Sequence, residues 1–403
     1  PVMMRINRQE ENYIGRARPG WQGRVKMGFR SDGRIMGIDL YLIQNNGPYN
    51  RQGDFLSGGR MSTLIHQPES MRFRGISVLT NTPPHTSQRG PGGVQIVAML
   101  EPIVSKAARQ LGIDQVEMRR INGPSGAAEY GPPNAEGVRR HATSAFVSEA
   151  LDLGKDLFNW DERKARSGQR VGSKVTGVGV ALSPYVGGSI GYDGLFTIRP
   201  DGKLYAHSGI GNLGTHSVFD TVRAAAEVLD FPWEKVEVTW GNTGKNLPWS
   251  SGQGGSQTTH AHTRANWAAG LDAKRKLQEI AARDLGGSPE SYEVGGERVY
   301  HRSNRSRYLT FASAAQRAVE LGGRYDGHEL PESINPWTVK SATALAGLGL
   351  MGVARDEFGR DGDTLSYVIG FAEVAVDIET GHIELVDFTA TADCGVIINP
   401  RSL

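Results

Sequence analysis

Glycine sets the terms for this chain. Fifty-three of its 403 residues are glycine, roughly twice the usual share, and no short repeat or low-complexity tract accounts for them. Distributed in that way, they point to many tight backbone approaches rather than to disorder. The segment that uses them most densely is residues 247–270, LPWSSGQGGSQTTHAHTRANWAAG. Gly252, Gly254 and Gly255 leave the backbone bare, while Ser250, Ser251, Ser256, Thr258 and Thr259 add short hydroxyls. From about Thr259, Ala261, Ala265, Ala268, Ala269 and Leu271 recur at helical spacing. A glycine-rich turn feeding a helix presents unpaired N–H groups at the positive end of the macrodipole, which is how proteins grip phosphates. A surface loop capped by Ser256 or Thr258 would read the same way, and the segment alone leaves both readings open. No Gly-Lys-Ser/Thr follows at the required spacing, so this is not a Walker A loop.

The bulk properties narrow the classes. A chain of 403 residues has room for two or three domains. Hydrophobic content of 38% and charged content of 22% suit a soluble globular protein. No run approaches the length of a membrane span, and no secretory pattern opens the chain. A net charge of +2 gives no case for nucleic acid. The single cysteine, Cys394, excludes an internal disulfide and any cysteine-ligated cluster or zinc site formed by this chain alone. It fits a reducing compartment, the cytoplasm, with the periplasm left open. The absence of an initiator methionine at Pro1 suggests a fragment or a processed subunit.

Along the chain, Arg24 to Phe29 and Ile35 to Gln44 read as alternating strands joined by the turn SDG, and Arg72 to Leu79 as a third. Helices are expected from about Val94 to Leu111 and Asp114 to Ile121. The glycine- and proline-rich NGPSGAAEYGPPNAEG is the candidate linker, which divides the chain into 1–125, a linker at 126–142, and 143–403. Beyond it come a helix from Thr143 to Trp160, strands in VTGVGVALSPY and YDGLFTIRPDGKLYAHSGIG, a helix from Ser217 to Leu229, and the strand KVEVTW. Residues 322–341 carry little pattern and read as irregular, and a long hairpin turns at IETGH. Strands and helices alternate without strict βαβ order, so the class is α+β.

Three motifs, in this order and spacing, resemble the molybdenum hydroxylases of the xanthine dehydrogenase/aldehyde oxidase family. TNTPPHTSQRGPGG is similar to the family loop T-N-x-x-x-x-x-x-x-R-G-x-G-G. HSGIGNLGTHSVFDTVRAAAEVLDFPWEKVEVTWGNTG resembles its glycine-rich loop, helix and following strand, and SSGQGGSQTT falls where a G-G-S-R-T-T loop holds the pyranopterin. The ending FAEVAVDIETGHIELVDFTATADCGVIINP matches the family hairpin and its D-x-G-x-x-x-N-P signature. The resemblance covers an internal stretch of the molybdenum-binding large subunit. Two family elements fall outside it: a G-G-G-F-G-G-K-E segment before Pro1, and the G-E-x-P glutamate that serves as catalytic base.

The resemblance implies two mixed α/β domains with the cofactor between them, 1–125 contributing the end of the first molybdopterin-binding region and 143–403 the second. It implies a molybdopterin-type molybdenum cofactor, as mono- or dinucleotide, with [2Fe-2S] clusters and FAD on partner subunits. By the same resemblance, Gly254, Gly255, Ser256, Gln257, Thr258 and Thr259 contact the pterin and its phosphate, with Gln257 standing where many members have arginine. Arg89 and Gly90 match the second cofactor loop, where an arginine suits charge-assisted bonding to an anion. Pro91 replaces the phenylalanine on which xanthine-oxidising members stack a flat substrate, which argues against a purine; Tyr185 is the nearby aromatic on the pocket side, with Tyr192 close in sequence.

The GIGNLGTHS loop departs further. Aligned through the following helix, Gly214 belongs to the cofactor loop, and Thr215 and His216 fall on the family's oxo-facing glutamine and its second glycine. His216 can exchange a proton at that place; equally, it can serve as the cap of the helix starting near Ser217. The implied metal is held by pterin sulfurs, so no protein ligand cluster is expected. The leading reading is the cofactor-binding part of a multi-subunit hydroxylase acting on a small organic substrate, with the rest of the molybdenum subunit and iron–sulfur and flavin subunits as partners. Two alternatives remain: a hydratase using the same cofactor, motivated by Thr215 and His216, and a non-catalytic cofactor- or partner-binding portion of a split subunit.

Overall fold

The computed structural model describes residues 4–14, 17–49 and 53–402. Its contacts gather into two compact units, one of residues 2–186 with 361–395 and the other of residues 187–360 with 396–403. Helices and mixed sheets build both, so the class is α+β.

The first unit opens with strands Trp21–Phe29, Ile35–Asn45 and Ser70–Val78 in one sheet. The first two pair antiparallel, but Ile35–Asn45 and Ser70–Val78 run parallel. A parallel pair needs a crossover, and the helix Asp54–Ile65 provides it. Alternate residues Ile38, Leu40 and Leu42 point into the core, the period-2 pattern of a strand with one buried face. Helices Gly93–Leu111 and Gln115–Asn122 follow. A second sheet, ordered Ile383–Asp393, Thr364–Asp377, Lys174–Gly187, Arg170–Val171, closes the unit. A single apolar cluster joins Leu40 and Leu42 to Leu182, Phe158, Trp160, Ile369 and Phe371. Phe371 lies so close to Gly154 of the helix Val147–Leu157 that a Cβ there would come within 2.2 Å of its ring.

Inside this core sits a buried ionic group. Glu101 binds His66 Nε2 at 2.6 Å and Arg119 Nε at 2.7 Å, and accepts from the Leu182 amide at 3.1 Å. Burial alone would raise the Glu101 pKa, but Arg119 and His66 outweigh it and hold the carboxyl down at about 2.

The second unit centres on a sheet ordered Val236–Thr239, Leu204–His207, Asp193–Ile198, Leu350–Arg355. Leu204–His207 and Val236–Thr239 are parallel, linked through helices Ser217–Asp220 and Arg223–Leu229. The 28-residue helix Thr258–Leu285 lies on the sheet at very short range. A Cβ on Gly194 would meet the Ala265 carbonyl at 2.3 Å, and one on Gly352 the Ala269 carbonyl at 2.8 Å. Here the glycine excess has a packing cause: bare strand backbone lets the helix approach.

Several elements differ from the sequence reading. The expected Thr143–Trp160 helix is two, Val147–Leu157 and Trp160–Arg166, because Asn159 turns left-handed at φ +53°. The Ser217–Leu229 helix is likewise split at Thr221–Val222. Residues 322–341 are not wholly irregular: the helix Pro336–Leu345 starts there, capped by Asn335 Oδ1 accepting from the Trp337 amide at 3.0 Å, with proline in its first turn. In the first compact unit, Lys174–Gly187 and the hairpin of Thr364–Asp377 with Ile383–Asp393 share the core of the N-terminal sheet. Among the described residues, no helix is long and apolar enough to cross a membrane.

Candidate cofactor-binding loops

In the second unit, the loop before the long helix is tied down at three points. Ser250 Oγ donates to the Gly209 carbonyl at 2.7 Å, and Gln253 Nε2 donates to the Gly211 carbonyl at 2.5 Å. The Ser256 carbonyl accepts from the Gly188 amide at 3.2 Å. The first two bonds bring the 250–259 loop beside the glycine-rich 209–216 loop. Gly209 must be glycine for this, because a Cβ would come within 2.2 Å of the Pro248 carbonyl.

Gly255 and Ser256 both take left-handed backbone, at φ +68° and +52°. That conformation is uncommon for serine and turns the chain sharply into the helix. Gly254, Gly255, Ser256 and Thr259 are exposed and Thr258 is half-buried. A Cβ on Gly254 or Gly255 would meet no atom of the chain within 4 Å, so the space over the turn is open. The first-turn amides have no intrahelical acceptor by construction, and they sit at the positive pole of a 28-residue helix. Bare backbone, free N–H donors and short hydroxyls suit an anion such as a phosphate.

Gln257 plays another part. Its Oε1 accepts from Ser189 Oγ at 2.5 Å and Tyr192 Oη at 3.0 Å, and its Nε2 donates to Ser251 Oγ at 2.6 Å and the Gly252 carbonyl at 2.8 Å. The amide is fully used inside the chain, so Gln257 shapes the loop from beneath. Tyr192 is equally committed. It is buried, stacked on Trp249 with centroids 5.0 Å apart, and 5.0 Å from His262, whose pKa burial lowers to about 4.

The 212–216 segment is exposed. Gly214 is left-handed at φ +84°, and so is His216 at φ +54°, a conformation glycine adopts freely and histidine seldom does. The His216 side chain makes no capping bond; its carbonyl accepts from the Phe219 and Asp220 amides instead. Thr215 Oγ1 and Ser217 Oγ are 2.8 Å apart. Asp220, in the helix that follows, accepts from Asn399 Nδ2 at 2.8 Å and Ser402 Oγ at 2.7 Å. The asparagine of the C-terminal D-x-G-x-x-x-N-P signature thus anchors the helix behind this loop.

In the first unit, Arg89, Gly90 and Pro91 lie in the turn that starts the helix Gly93–Leu111. Gly90 is left-handed at φ +64° and accepts from the Gly93 amide at 3.0 Å. The Arg89 side chain is exposed and makes no ion pair or hydrogen bond among the described residues, while its carbonyl accepts from Arg18. Gly92 is glycine for packing: a Cβ would meet the Asp54 carbonyl at 2.2 Å and the Gly58 amide nitrogen at 2.7 Å. Tyr185 stands beside this turn, its ring 3.5 Å from where a Gly93 Cβ would be. Its pKa is raised by burial and by the charge of Asp54.

Asp54 is the residue that sequence reasoning missed. It is buried, its Oδ1 accepts from Ser87 Oγ at 2.5 Å, and its Oδ2 has no hydrogen-bond partner among the described residues. Burial raises its pKa. An aspartate opening a helix is ordinary in sequence, so no local signal marked it.

Two molybdopterin cofactor-binding domains match, over residues 1–123 and 153–403. The chain is 28% identical over 291 residues, 70% of its length, to the putative xanthine dehydrogenase molybdenum-binding subunit XdhA of Escherichia coli, covering 38% of that protein. It is 25% identical over 393 residues to the aldehyde oxidoreductase molybdenum-binding subunit PaoC of the same species, covering 96% of this chain and 46% of that one. The solved structure of quinoline 2-oxidoreductase from Pseudomonas putida 86 shares the fold, with a TM-score of 0.79 at 20% identity, over 98% of this chain and 50% of that one. The chain thus spans between 38% and 50% of the length of these relatives. It belongs to the molybdopterin cofactor-binding family of the xanthine dehydrogenase/aldehyde oxidase type.

Proposed function

We propose that this chain is the cofactor-gripping part of a molybdenum hydroxylase that oxidises a C–H carbon of a small organic molecule, an aldehyde or an N-heterocycle, with oxygen from water. The observation that carries the reading is the open, left-handed Gly255–Ser256 turn at the N-terminus of the 28-residue helix, in a chain matched by molybdopterin-binding domains. When bound, the molybdenum cofactor supplies the two-electron redox centre.

The chain's own residues bind and orient. Gly254 and Gly255 let the backbone approach the cofactor, the first-turn amides take its phosphate, and the Ser256, Thr258 and Thr259 hydroxyls complete the shell. Gln257 holds Ser189, Tyr192 and Ser251 in register underneath. Within the first unit, Arg89 and Gly90 offer an anion contact of their own, and Pro91 and Tyr185 are the residues assigned to the substrate side. Gly214, Thr215 and His216 form the exposed loop on which proton-exchanging chemistry would fall. In this reading 1–125 and 143–403 are the two cofactor-binding regions, and partner subunits in a cytoplasmic complex carry the [2Fe-2S] clusters and FAD.

The test is to purify the assembled protein, measure molybdenum and extractable pterin, and assay benzaldehyde and quinoline with an artificial electron acceptor. Stoichiometric molybdenum with acceptor-dependent turnover supports the reading. Turnover in material free of both molybdenum and tungsten refutes it, and product formed without an acceptor would favour hydration instead.

A further inference from the structure

We propose that the first unit carries a second ligand site, for a small amphipathic monocarboxylate, in the cavity between the Asp54–Ile65 helix and the Ser70–Val78 strand. This inference does not depend on the cofactor assignment. The cavity measures about 730 Å³, within the usual range for small-molecule sites. None of the residues of the 89–93 turn lines it, nor does Tyr185.

Its geometry follows from the helix. Gly58 faces the cofactor turn, where a Cβ would lie 3.3 Å from the Gly92 carbonyl. Gly59, the next residue, faces the cavity and rests on the Phe73 ring, which a Cβ would meet at 2.7 Å. Phe73, Leu56 and Met71 give the cavity an apolar side, and Arg60 and Arg139 give it a charged one.

The charges define the ligand. Of the other charged groups, Arg34 already donates to the Ile121 carbonyl at 2.6 Å, and Glu69 pairs with Arg30 at 3.4 Å. Arg60 and Arg139 make no ion pair or side-chain hydrogen bond among the described residues, and both are exposed. Glu129, also at the cavity, opposes them with one negative charge. Three arginines in the lining, Arg34, Arg60 and Arg139, against two glutamates, Glu69 and Glu129, leave one positive charge, which matches a monoanion better than a phosphate dianion. Guanidinium forks bind carboxylates in paired, charge-assisted bonds, and the apolar side takes an aryl or alkyl tail.

Calorimetric titration of the assembled protein with 4-phenylbutyrate tests this, with 4-phenylbutylamine and 3-phenylpropyl phosphate as comparisons. The proposal expects saturable binding of the carboxylate, weaker binding of the phosphate, and none of the amine. Arg60→Ala together with Arg139→Ala, both at exposed positions, should weaken carboxylate binding by about tenfold or more while leaving cofactor content unchanged. No carboxylate binding, equal binding of the amine, or binding indifferent to the double substitution would overturn it. Cofactor content is measured in the same samples, so failure here stays separate from failure of the proposed function.

Discussion

Replacing Gln257 by alanine removes the four hydrogen bonds that hold the candidate loop to Ser189, Tyr192, Ser251 and Gly252. A net intramolecular hydrogen bond contributes about 0.5–1.5 kcal/mol. Gln257 is half-buried, so water repairs part of the loss and the lower end applies. Four bonds at that end give about 2 kcal/mol, equivalent to a roughly 30-fold smaller population of the ordered loop. Since the amides proposed to take the anion follow directly from this loop, cofactor retention should fall by a similar factor. Gln257→Arg should do no better, because arginine has no acceptor for the Ser189 and Tyr192 hydroxyls. Gln257→Glu keeps those two bonds and should fall between. The assay is hydrogen exchange of residues 250–259 alongside pterin content after dialysis. Unchanged exchange and unchanged pterin in Gln257→Ala would refute the supporting role assigned to this side chain.

Gly255→Val should cost only about 1–2 kcal/mol for its left-handed backbone, because a Cβ there meets nothing in the chain. Denaturation will therefore show a folded protein, while metal analysis shows loss of molybdenum. Glu101→Gln leaves Arg119 buried beside a neutral partner and should cost about 3–5 kcal/mol near neutral pH, read by urea unfolding. Because the folded pKa of Glu101 is depressed to about 2, its stabilisation is complete above the ordinary carboxylate range and is lost as pH falls through that range towards 2. The gap between wild type and variant should narrow over that window. Asn335→Ala should cost about 1 kcal/mol by uncapping Pro336–Leu345, measured by the same unfolding curves.

What the sequence made legible was whatever is encoded locally. The strand Ile35–Asn45 shows its alternation, and the Gly254–Thr259 turn shows its glycines and hydroxyls. The helix Asp54–Ile65 hid because DFLSGGRMSTLI contains two glycines, which weaken any helical pattern. Both are set by tertiary contact: Gly58 under Trp21, where a Cβ would meet the ring at 2.4 Å, and Gly59 under Phe73. Gln257 was readable as a loop residue but not as its support, since its partners Ser189 and Tyr192 lie 68 and 65 positions away. The parallel pairing of Ile35–Asn45 with Ser70–Val78 was hidden for the same reason. Alignment through the following helix already put His216 on the family's second glycine, but its left-handed backbone shows only in the structure.

In the proposed function, the first turn of the Thr258–Leu285 helix, with Gly254 to Ser256 before it, holds the phosphate of a molybdenum cofactor. The most direct measurement is a crystal structure of the purified, cofactor-loaded protein, with anomalous diffraction recorded at the molybdenum edge to confirm the metal. The expected result is pterin density with its phosphate within about 3 Å of the backbone nitrogens of that turn, at ordinary hydrogen-bond distance. Molybdenum and pterin located elsewhere, with no atom of the cofactor touching Gly254 to Thr259, would contradict it.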